Sequence, residues 1–350
     1  MRVNFVSRGH GYGHAARDLR IMAAMRRVNP GIQIRLASAG SGADYYRSRG
    51  VEAVDLGFDD ADDMGEAASW RVWRFLYEHA DADLVVSDEF LTVPGFCRNV
   101  LGIPNVLITD WFFAELGRPE FDARLNDTRE VVVPDFPEAH PLAPATTAPI
   151  WYCGPLVDSF TPQRAEARKT LGIDGDALVL TVAAGGRPDR IDALRIQLQA
   201  LQAWSGHAAP GDQLLLMADP PPTRGRVPTA PNIHWVGRSD RPELYYRAAD
   251  VVLANALGFT SCELVANGVP VIAAVTPDPD QETRIGFTER MDTLERIGLL
   301  TRTSTDEDPA TLWALVQEMR RRADNDPVSE DIWADPLEVA TRILGHGRVG

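Results

Sequence analysis

Lysine is all but missing from this 350-residue chain: Lys169 stands alone among 35 basic residues, the rest being arginine. The bias reads as genomic base composition rather than a functional choice. Cysteine is scarce in a more informative way. Cys97, Cys153 and Cys262 are odd in number, with neither a short pairing nor the spacing of metal ligands, so the expectation is reduced thiols and no metal. Long apolar runs are lacking too. Nothing approaches the ~20 residues of a membrane span, and the opening VNFV, followed by Ser7-Arg8-Gly9, is too short for a signal-peptide core. A cytoplasmic protein without a membrane span is expected. Positive charge is also in deficit. Acidic residues number 50, and the net charge of −15 would repel nucleic acid and acidic membranes.

The chain does have enough apolar residues, 45%, for two cores, and ~150 residues per domain favours two domains. Short apolar runs alternate with helical patterns in two series. The first has strands at Val3–Val6, Ile32–Ala37, Val51–Leu56, Leu84–Ser87, Val106–Thr109, Glu130–Val133 and Ile150–Cys153, with helices such as Ala15–Val28 and Ala43–Arg49 between them. The second has strands at Leu178–Val182, Gln213–Met217, Ile233–Val236, Val251–Ala254 and Val269–Val275. Its helices are placed at Asp189–Trp204, Pro242–Ala248, Thr260–Asn267 and Thr311–Arg322. Buried β-branched runs alternating with helices mean α/β architecture, with parallel sheets covered on both faces. Residues 1–154 form one domain, 155–163 a linker and 164–330 the other domain. A tail helix, Asp331–Leu344 within 331–350, carries a stripe of Trp333, Leu337, Ala340 and Ile343–Leu344 and is expected to pack back on the first domain. Asp59–His79, acidic and then aromatic, reads either as a loop leading to a packed helix or as a mobile wall of a binding cleft.

The first strand runs into Gly9-His10-Gly11-Tyr12-Gly13-His14. The glycines alternate, where a dinucleotide fingerprint needs G-x-G-x-x-G, and the second strand ends in Ala37-Ser38-Ala39-Gly40 with no acid to hold a ribose. A nicotinamide or flavin dehydrogenase is therefore disfavoured. His14 opens a helix, whose positive end disfavours imidazolium and leaves the ring able to accept a proton; a plain helix-capping histidine is the alternative. Asp88 directly follows the strand Leu84–Ser87. In a parallel sheet, residues just past strand ends gather along one edge, so Asp88 can meet His14 and fix its tautomer. An N-cap aspartate is the competing use.

In the second series, Asn255-Ala256-Leu257-Gly258-Phe259 leads into a helix beginning near Thr260. Backbone amides around Gly258, Phe259, Thr260 and Ser261 suit a diphosphate. Glu263 completes a capping-box pattern with Thr260 or accepts ribose hydroxyls. Asp280 and Gln281 lie in a rigid polar loop where they suit sugar hydroxyls. Gly185, Gly186 and Arg187 are a further candidate phosphate contact, and backbone groups near Val236, Gly237 and Arg238 a candidate site for the nucleotide base.

The run GVPVIAAVTPDPDQETRIGFTERMDTLERIGL resembles the donor-binding box of inverting nucleotide-sugar glycosyltransferases, the plant and macrolide enzymes. GHGYGHAAR is similar to their catalytic histidine loop, and VVSDEF to the segment with the partner aspartate. The glycine-rich loop also resembles that of the transferases adding N-acetylglucosamine to the muramyl lipid. This likeness implies a GT-B fold, two facing Rossmann-like domains with the active site in the cleft between them. It implies Glu263 on the ribose, Asp280 and Gln281 on the sugar, and His14 with Asp88 as base and partner. His10 and Tyr12, with Gly9, Gly11 and Gly13, then belong to the acceptor loop. The expected partners are a UDP- or dTDP-sugar donor and a small-molecule acceptor, with no cofactor and a place in secondary metabolism.

The sequence departs from that box where its phosphate histidine would stand, here Asn255-Ala256-Leu257. The retaining enzymes' second glutamate also maps to Asn255, which disfavours retention. A nucleotide-sugar hydrolase or epimerase of the same fold, and a non-catalytic nucleotide-sugar-binding protein, stay open.

Overall fold

The structure, a computed structural model, describes residues 1–62, 65–110, 123–140, 144–185, 191–220, 230–256, 258–277, 287–322 and 332–348. The chain divides into two compact units, Met1–Leu156 with Ile332–Gly350, and Val157–Asp331.

Unit 1 holds a seven-stranded sheet. Its strands are β1 (Arg2–Val6), β2 (Gln33–Ser38), β3 (Val54–Asp55), β4 (Leu84–Asp88), β5 (Asn105–Ile108), β6 (Glu130–Val133) and β7 (Ile150–Tyr152), in the order β3-β2-β1-β4-β5-β6-β7. Every pairing is parallel. Strand order reverses between β1 and β4, which pair from Val3↔Leu84 to Val6↔Ser87. Ligands bind at this kind of reversal in doubly wound sheets, just beyond the carboxyl ends of the strands.

Period-two alternation splits the strands between two cores. Val3, Phe5, Leu84 and Val86 join one cluster with Ile21, Met22 and Met25 of helix α1 (Tyr12–Val28). Val6, Ala37 and Val85 face the other, with Val72, Phe75 and Leu76 of α3 (Glu66–Glu78). Helix α2 (Gly40–Ser48) follows β2. The segment Asp59–His79 therefore contains a short 3₁₀ turn, Asp60–Asp62, and a packed amphipathic helix.

Unit 2 repeats the plan with six parallel strands: β8 (Val179–Ala183), β9 (Gln213–Leu216), β10 (Ile233–Trp235), β11 (Val251–Asn255), β12 (Val271–Val275) and β13 (Leu300–Ser304). The order is β10-β9-β8-β11-β12-β13, so the reversal lies between β8 and β11. The helices, in chain order after the short α4 (Val93–Phe96) of unit 1, are α5 (Arg164–Leu171), α6 (Ile191–His207), α7 (Pro242–Ala248), α8 (Thr260–Ala266), α9 (Phe287–Ile297) and α10 (Pro309–Arg322). The main core joins β8, β9, β11 and β12 to α6 and α10 through Leu180, Val182, Leu214, Leu253, Ile196, Trp204, Leu312 and Val316.

Several elements differ from the sequence reading. β3 keeps two residues of the expected six, because Val54 is a half-exposed edge position. Helices α5 and α9 and strand β13 were not anticipated. β13 reads LTRTS, too polar for a search based on apolar runs, yet it adds to the edge of the sheet beside β12. The tail helix α11 (Pro336–Leu344) starts later than expected, with Asp335 accepting the Leu337 N–H at 2.9 Å as its cap. Its Val339, Ala340 and Ile343 are buried in the cluster that holds α1, and Trp333 packs on Phe136. Full burial of such aliphatic side chains contributes roughly 1.5–3 kcal/mol each.

Candidate active site

The reversal point of unit 1 is assembled by glycines that let backbones touch. A Cβ on Gly9 would lie 2.4 Å from the Ala39 carbonyl oxygen, so only glycine allows the loop to lie against the end of β2. Gly11, at φ +73°, is the N-cap of α1. Gly13 has open space around it, and no close approach demands glycine there.

Ser41 stitches this loop in place. Its hydroxyl accepts from Gly11 N at 2.7 Å and lies 2.8 Å from Gly9 O and 2.7 Å from Asp60 Oδ2, while Asp60 Oδ1 accepts from Ser41 N. Partial burial alone would raise the Asp60 carboxyl, but these donors outweigh it and hold it below the ordinary range. His10 points into the same frame, with Nδ1 3.1 Å from the Asp60 carbonyl oxygen. A carbonyl only accepts, so Nδ1 carries the proton. Tyr12 packs against Tyr45, ring centroids 5.7 Å apart. Ser41 and Asp60 escaped the sequence reading, because only the fold brings them to the loop.

α1 begins at Tyr12, so His14 occupies its third position rather than preceding it. His14 Nδ1 lies 3.3 and 3.4 Å from the two oxygens of Asp88, which is fully buried at the end of β4. The side chain of His14 is 17% exposed. The structure thus brings the two residues together, and it adds a third. Arg17, one turn further along α1, donates Nη2–H to both Asp88 oxygens at 2.7 and 2.8 Å and sits 3.0 Å from His14 Nδ1. Burial works to raise the Asp88 carboxyl, but Arg17 and then His14 overcome it and hold it well below the carboxylate range.

Two other buried acids behave oppositely. Burial, and then the charge of Asp88, push Asp18 well up; burial, and then Asp110, do the same for Glu89. Glu89 takes a positive φ of 63°, an uncommon conformation for a non-glycine residue, and accepts the Asp110 N–H at 2.9 Å. Arg17, Asp18 and Glu89 were not singled out from the sequence. The HAARD spacing, with Arg17 and Asp18 three and four residues after His14 on one helix face, was the available signal.

His14, Asp88 and Glu89 bring one ligand atom each within 4.8 Å of one another. Arg17 already claims both oxygens of Asp88, and Glu89 is pushed toward its neutral form, so the trio fits an ion-pair network better than a cation site.

In unit 2 some of the candidates stand at the other reversal. Gly185, at φ +112°, follows β8; Gly186 and Arg187 lie outside the described residues. Asn255 ends β11, and its Nδ2 donates to Asp192 Oδ2 at 3.0 Å and to Ala184 O at 3.4 Å, tying the two loops. Gly258 N donates to Asn255 O at 3.3 Å. Helix α8 takes Phe259 as its N-cap with no side-chain cap, so Thr260 is a helical residue and not the cap of a box. Glu263 is half-buried and, after burial itself, helps raise the Tyr246 hydroxyl. The Ser261 hydroxyl and that of Thr276, beyond β12, are buried without a hydrogen-bond partner.

Val236 and Gly237 stand two strands away, after β10. Gly237 has φ +69°, and a Cβ there would meet Asp219 Oδ1 at 2.8 Å; Arg238 is exposed. Asp280 and Gln281 lie outside the described residues. One residue the sequence reading missed is Arg290 of α9, buried with its guanidinium 4.5 Å from the centroid of the Phe259 ring.

No protein-family model matches the chain. It is 29% identical over 296 residues, 78% of each protein, to the UDP-N-acetylglucosamine--N-acetylmuramyl-(pentapeptide) pyrophosphoryl-undecaprenol N-acetylglucosamine transferase of Acidothermus cellulolyticus. Among solved structures it is similar to the glycotransferase of kitacinnamycin, with a TM-score of 0.68 at 16% identity over 99% of both chains. It is also similar to a putative UDP-N-acetylglucosamine 2-epimerase from Listeria monocytogenes, with a TM-score of 0.63 at 12% identity over 98% of this chain and 94% of that one. At those identities the structural likeness speaks for the fold, and the sequence relative for the activity. The chain is a glycosyltransferase of the GT-B fold.

Proposed function

We propose that this enzyme is an inverting transferase that moves a sugar from a UDP-sugar to an acceptor hydroxyl, with His14 as the general base and no metal in the step. The observation that carries the reading is the His14–Asp88 pair at the β1/β4 reversal of unit 1. In this mechanism Asp88 receives Nδ1–H, and Nε2 removes the acceptor proton as the oxygen attacks the anomeric carbon from the face opposite the nucleotide. The C–O bond to the diphosphate breaks, and nucleoside diphosphate leaves. A positioned base contributes ~10²–10⁴-fold; the larger share belongs to holding both substrates together and stabilising the leaving diphosphate.

On the donor side, Glu263 holds the ribose, Asp280 and Gln281 hold the sugar, and the backbone from Gly258 to Ser261 meets the diphosphate. Gly185, Gly186 and Arg187 supplement that contact, and Val236, Gly237 and Arg238 flank the base. Support for a UDP-sugar comes from the relative named above, whose donor is UDP-N-acetylglucosamine. That relative's acceptor is linked to pyrophosphoryl-undecaprenol, so a lipid-linked acceptor and a soluble small molecule are both tried. Among the described residues no helix is long and apolar enough to cross a membrane.

A thermal-shift screen with nucleoside diphosphates tests the donor, since a ligand stabilises by RT ln(1 + [L]/Kd). UDP is expected to raise Tm more than GDP or dTDP. His14→Ala should then abolish most transfer while UDP affinity holds. Wild-type turnover of donor with no acceptor present would favour a hydrolase or epimerase instead.

A further inference from the structure

Arg17 has no role in the reaction as written, yet it is bound more tightly to the proposed dyad than the dyad is to itself. It is 6% exposed. Nη2 has two hydrogens, and both go to Asp88 at 2.7 and 2.8 Å, so its 3.0 Å approach to His14 Nδ1 is a charge contact rather than a hydrogen bond and leaves Nδ1–H directed at Asp88, 3.3 and 3.4 Å away. On its other nitrogen, Nη1 stands 3.8 Å from Asp110 Oδ1. A guanidinium offers donors only and keeps its charge at every pH an enzyme meets.

The charged groups around His14 come from four elements: Arg17 and Asp18 on its own helix, Asp88 and Glu89 at the end of β4, Asp110 after β5 and Arg8 after β1. Asp18 and Glu89 are held toward the neutral form by burial. The fixed charge nearest the ring is therefore Asp88, and Arg17 sits on both of its oxygens. An unshared carboxylate would draw a proton onto the imidazole and leave an imidazolium, which cannot act as a base. A cation shared with that carboxylate opposes this.

We propose that Arg17 is a positioning residue for sugar transfer: it clamps Asp88 beside His14 and, through its permanent charge next to Nδ1, keeps the ring neutral and ready to take the acceptor's proton. The inference rests on His14 being the base. Arg17 touches neither substrate in this scheme. Its effect is on the state of the ring, so it belongs to the pH range of the reaction rather than to donor binding.

Histidine-selective ¹H–¹⁵N spectra of the substrate-free enzyme, recorded across pH, read the ring directly. Arg17→Gln keeps a hydrogen bond to Asp88 and removes the charge, whereas Arg17→Lys keeps the charge. In Arg17→Gln the acid limb of kcat/KM should move to higher pH, with the His14 ring signals following it and UDP affinity unchanged. Arg17→Lys should stay close to wild type. Should Arg17→Gln fail to fold, Arg17→Gln/Asp110→Asn, which also removes the carboxylate on the far side of the guanidinium, takes its place with a smaller upward shift expected, because the loss of a carboxylate partly offsets the loss of the cation. An unmoved transition in a folded charge-less variant would overturn the role and leave Arg17 a structural ion pair. A shifted ring in an enzyme whose His14→Ala variant transfers normally would sink the base reading itself.

Discussion

The two strand-order reversals share one topology and differ in charge. At β1/β4 the fold buries Arg17, Asp18, Asp88, Glu89 and Asp110 around a single imidazole. At β8/β11 the described residues offer mainly neutral groups, the Asn255 amide, the glycine backbones at 185 and 258 and the unpartnered hydroxyls of Ser261 and Thr276, with Arg290 the buried cation over Phe259. Its buried acid, Asp192, is already taken by Asn255. Buried titratable clusters are costly, and they persist where a proton has to be managed. A polyanionic ligand asks for donors without competing carboxylates nearby. On the proposed reading the same frame serves proton transfer in one unit and anion binding in the other, with Glu263 the one half-buried acid on α8.

The largest expected effect would break that division if it failed. His14→Ala should lower the transfer rate by ~10²–10⁴ with UDP affinity unchanged, because a base acts in the transition state. Asp88→Asn should cost less. The double variant should be barely worse than His14→Ala, since residues that work as one unit are not additive. A double variant as poor as the product of the singles would mean that the two act separately. Near-wild-type transfer by His14→Ala beside a dead His10→Ala would move the base to His10.

Glu263 sharpens the other half. Glu263→Gln should weaken UDP binding by roughly 10–100-fold, as expected for hydrogen bonds to a charged group, and leave Tm within about one degree of wild type, because no cap depends on it. Calorimetric titration with UDP and a melting curve decide it. A lower Tm with unchanged affinity would make Glu263 a structural residue.

How much of this could be read from the residues depended on whether the information was local. Leu84–Ser87 and Val251–Ala254 are apolar, β-branched and bounded by polar residues, so their strands and the loops beyond them could be placed. Asp88 was legible because it closes such a strand, and His14 because it stands at the start of the helix that follows the glycine-rich loop after β1. β13 was not legible, since an edge strand beside β12 can be as polar as LTRTS. Nor was α9, whose buried Arg290 looks like a surface residue in sequence. Arg17 was hidden for a similar reason: in an arginine-rich chain its spacing after His14 is a weak mark, and its burial shows only once β4 delivers Asp88 to it. The Thr260–Glu263 pattern matched a capping box in letters alone, because the helix starts one residue earlier than that box requires.

The smallest expected effect separates acids that do chemistry from acids that hold the fold. Glu130, at the start of β6 and so at the opposite edge of the sheet from His14, is as buried as Asp88 and equally well paired. Arg342 Nε donates to its two oxygens at 2.9 and 3.0 Å, and His346 Nε2 lies 2.9 Å from Oε2. Burial alone would raise this carboxyl, but those partners from the tail hold it below its ordinary range. A carboxyl lowered on folding stabilises above its unfolded value, near ~4.3, and that contribution is lost as pH falls through the lower folded value. Arg342 is 43% exposed, so solvent screening keeps the pair to the order of 1 kcal/mol. Glu130→Gln should therefore melt roughly 2–4 °C lower at pH 7, and the two melting curves should converge as pH drops below about 4. The transfer rate of Glu130→Gln should equal that of wild type at temperatures well below either Tm. A rate loss comparable to that of Asp88→Asn would show that the tail and the site are coupled, and would end the distinction between the two edges.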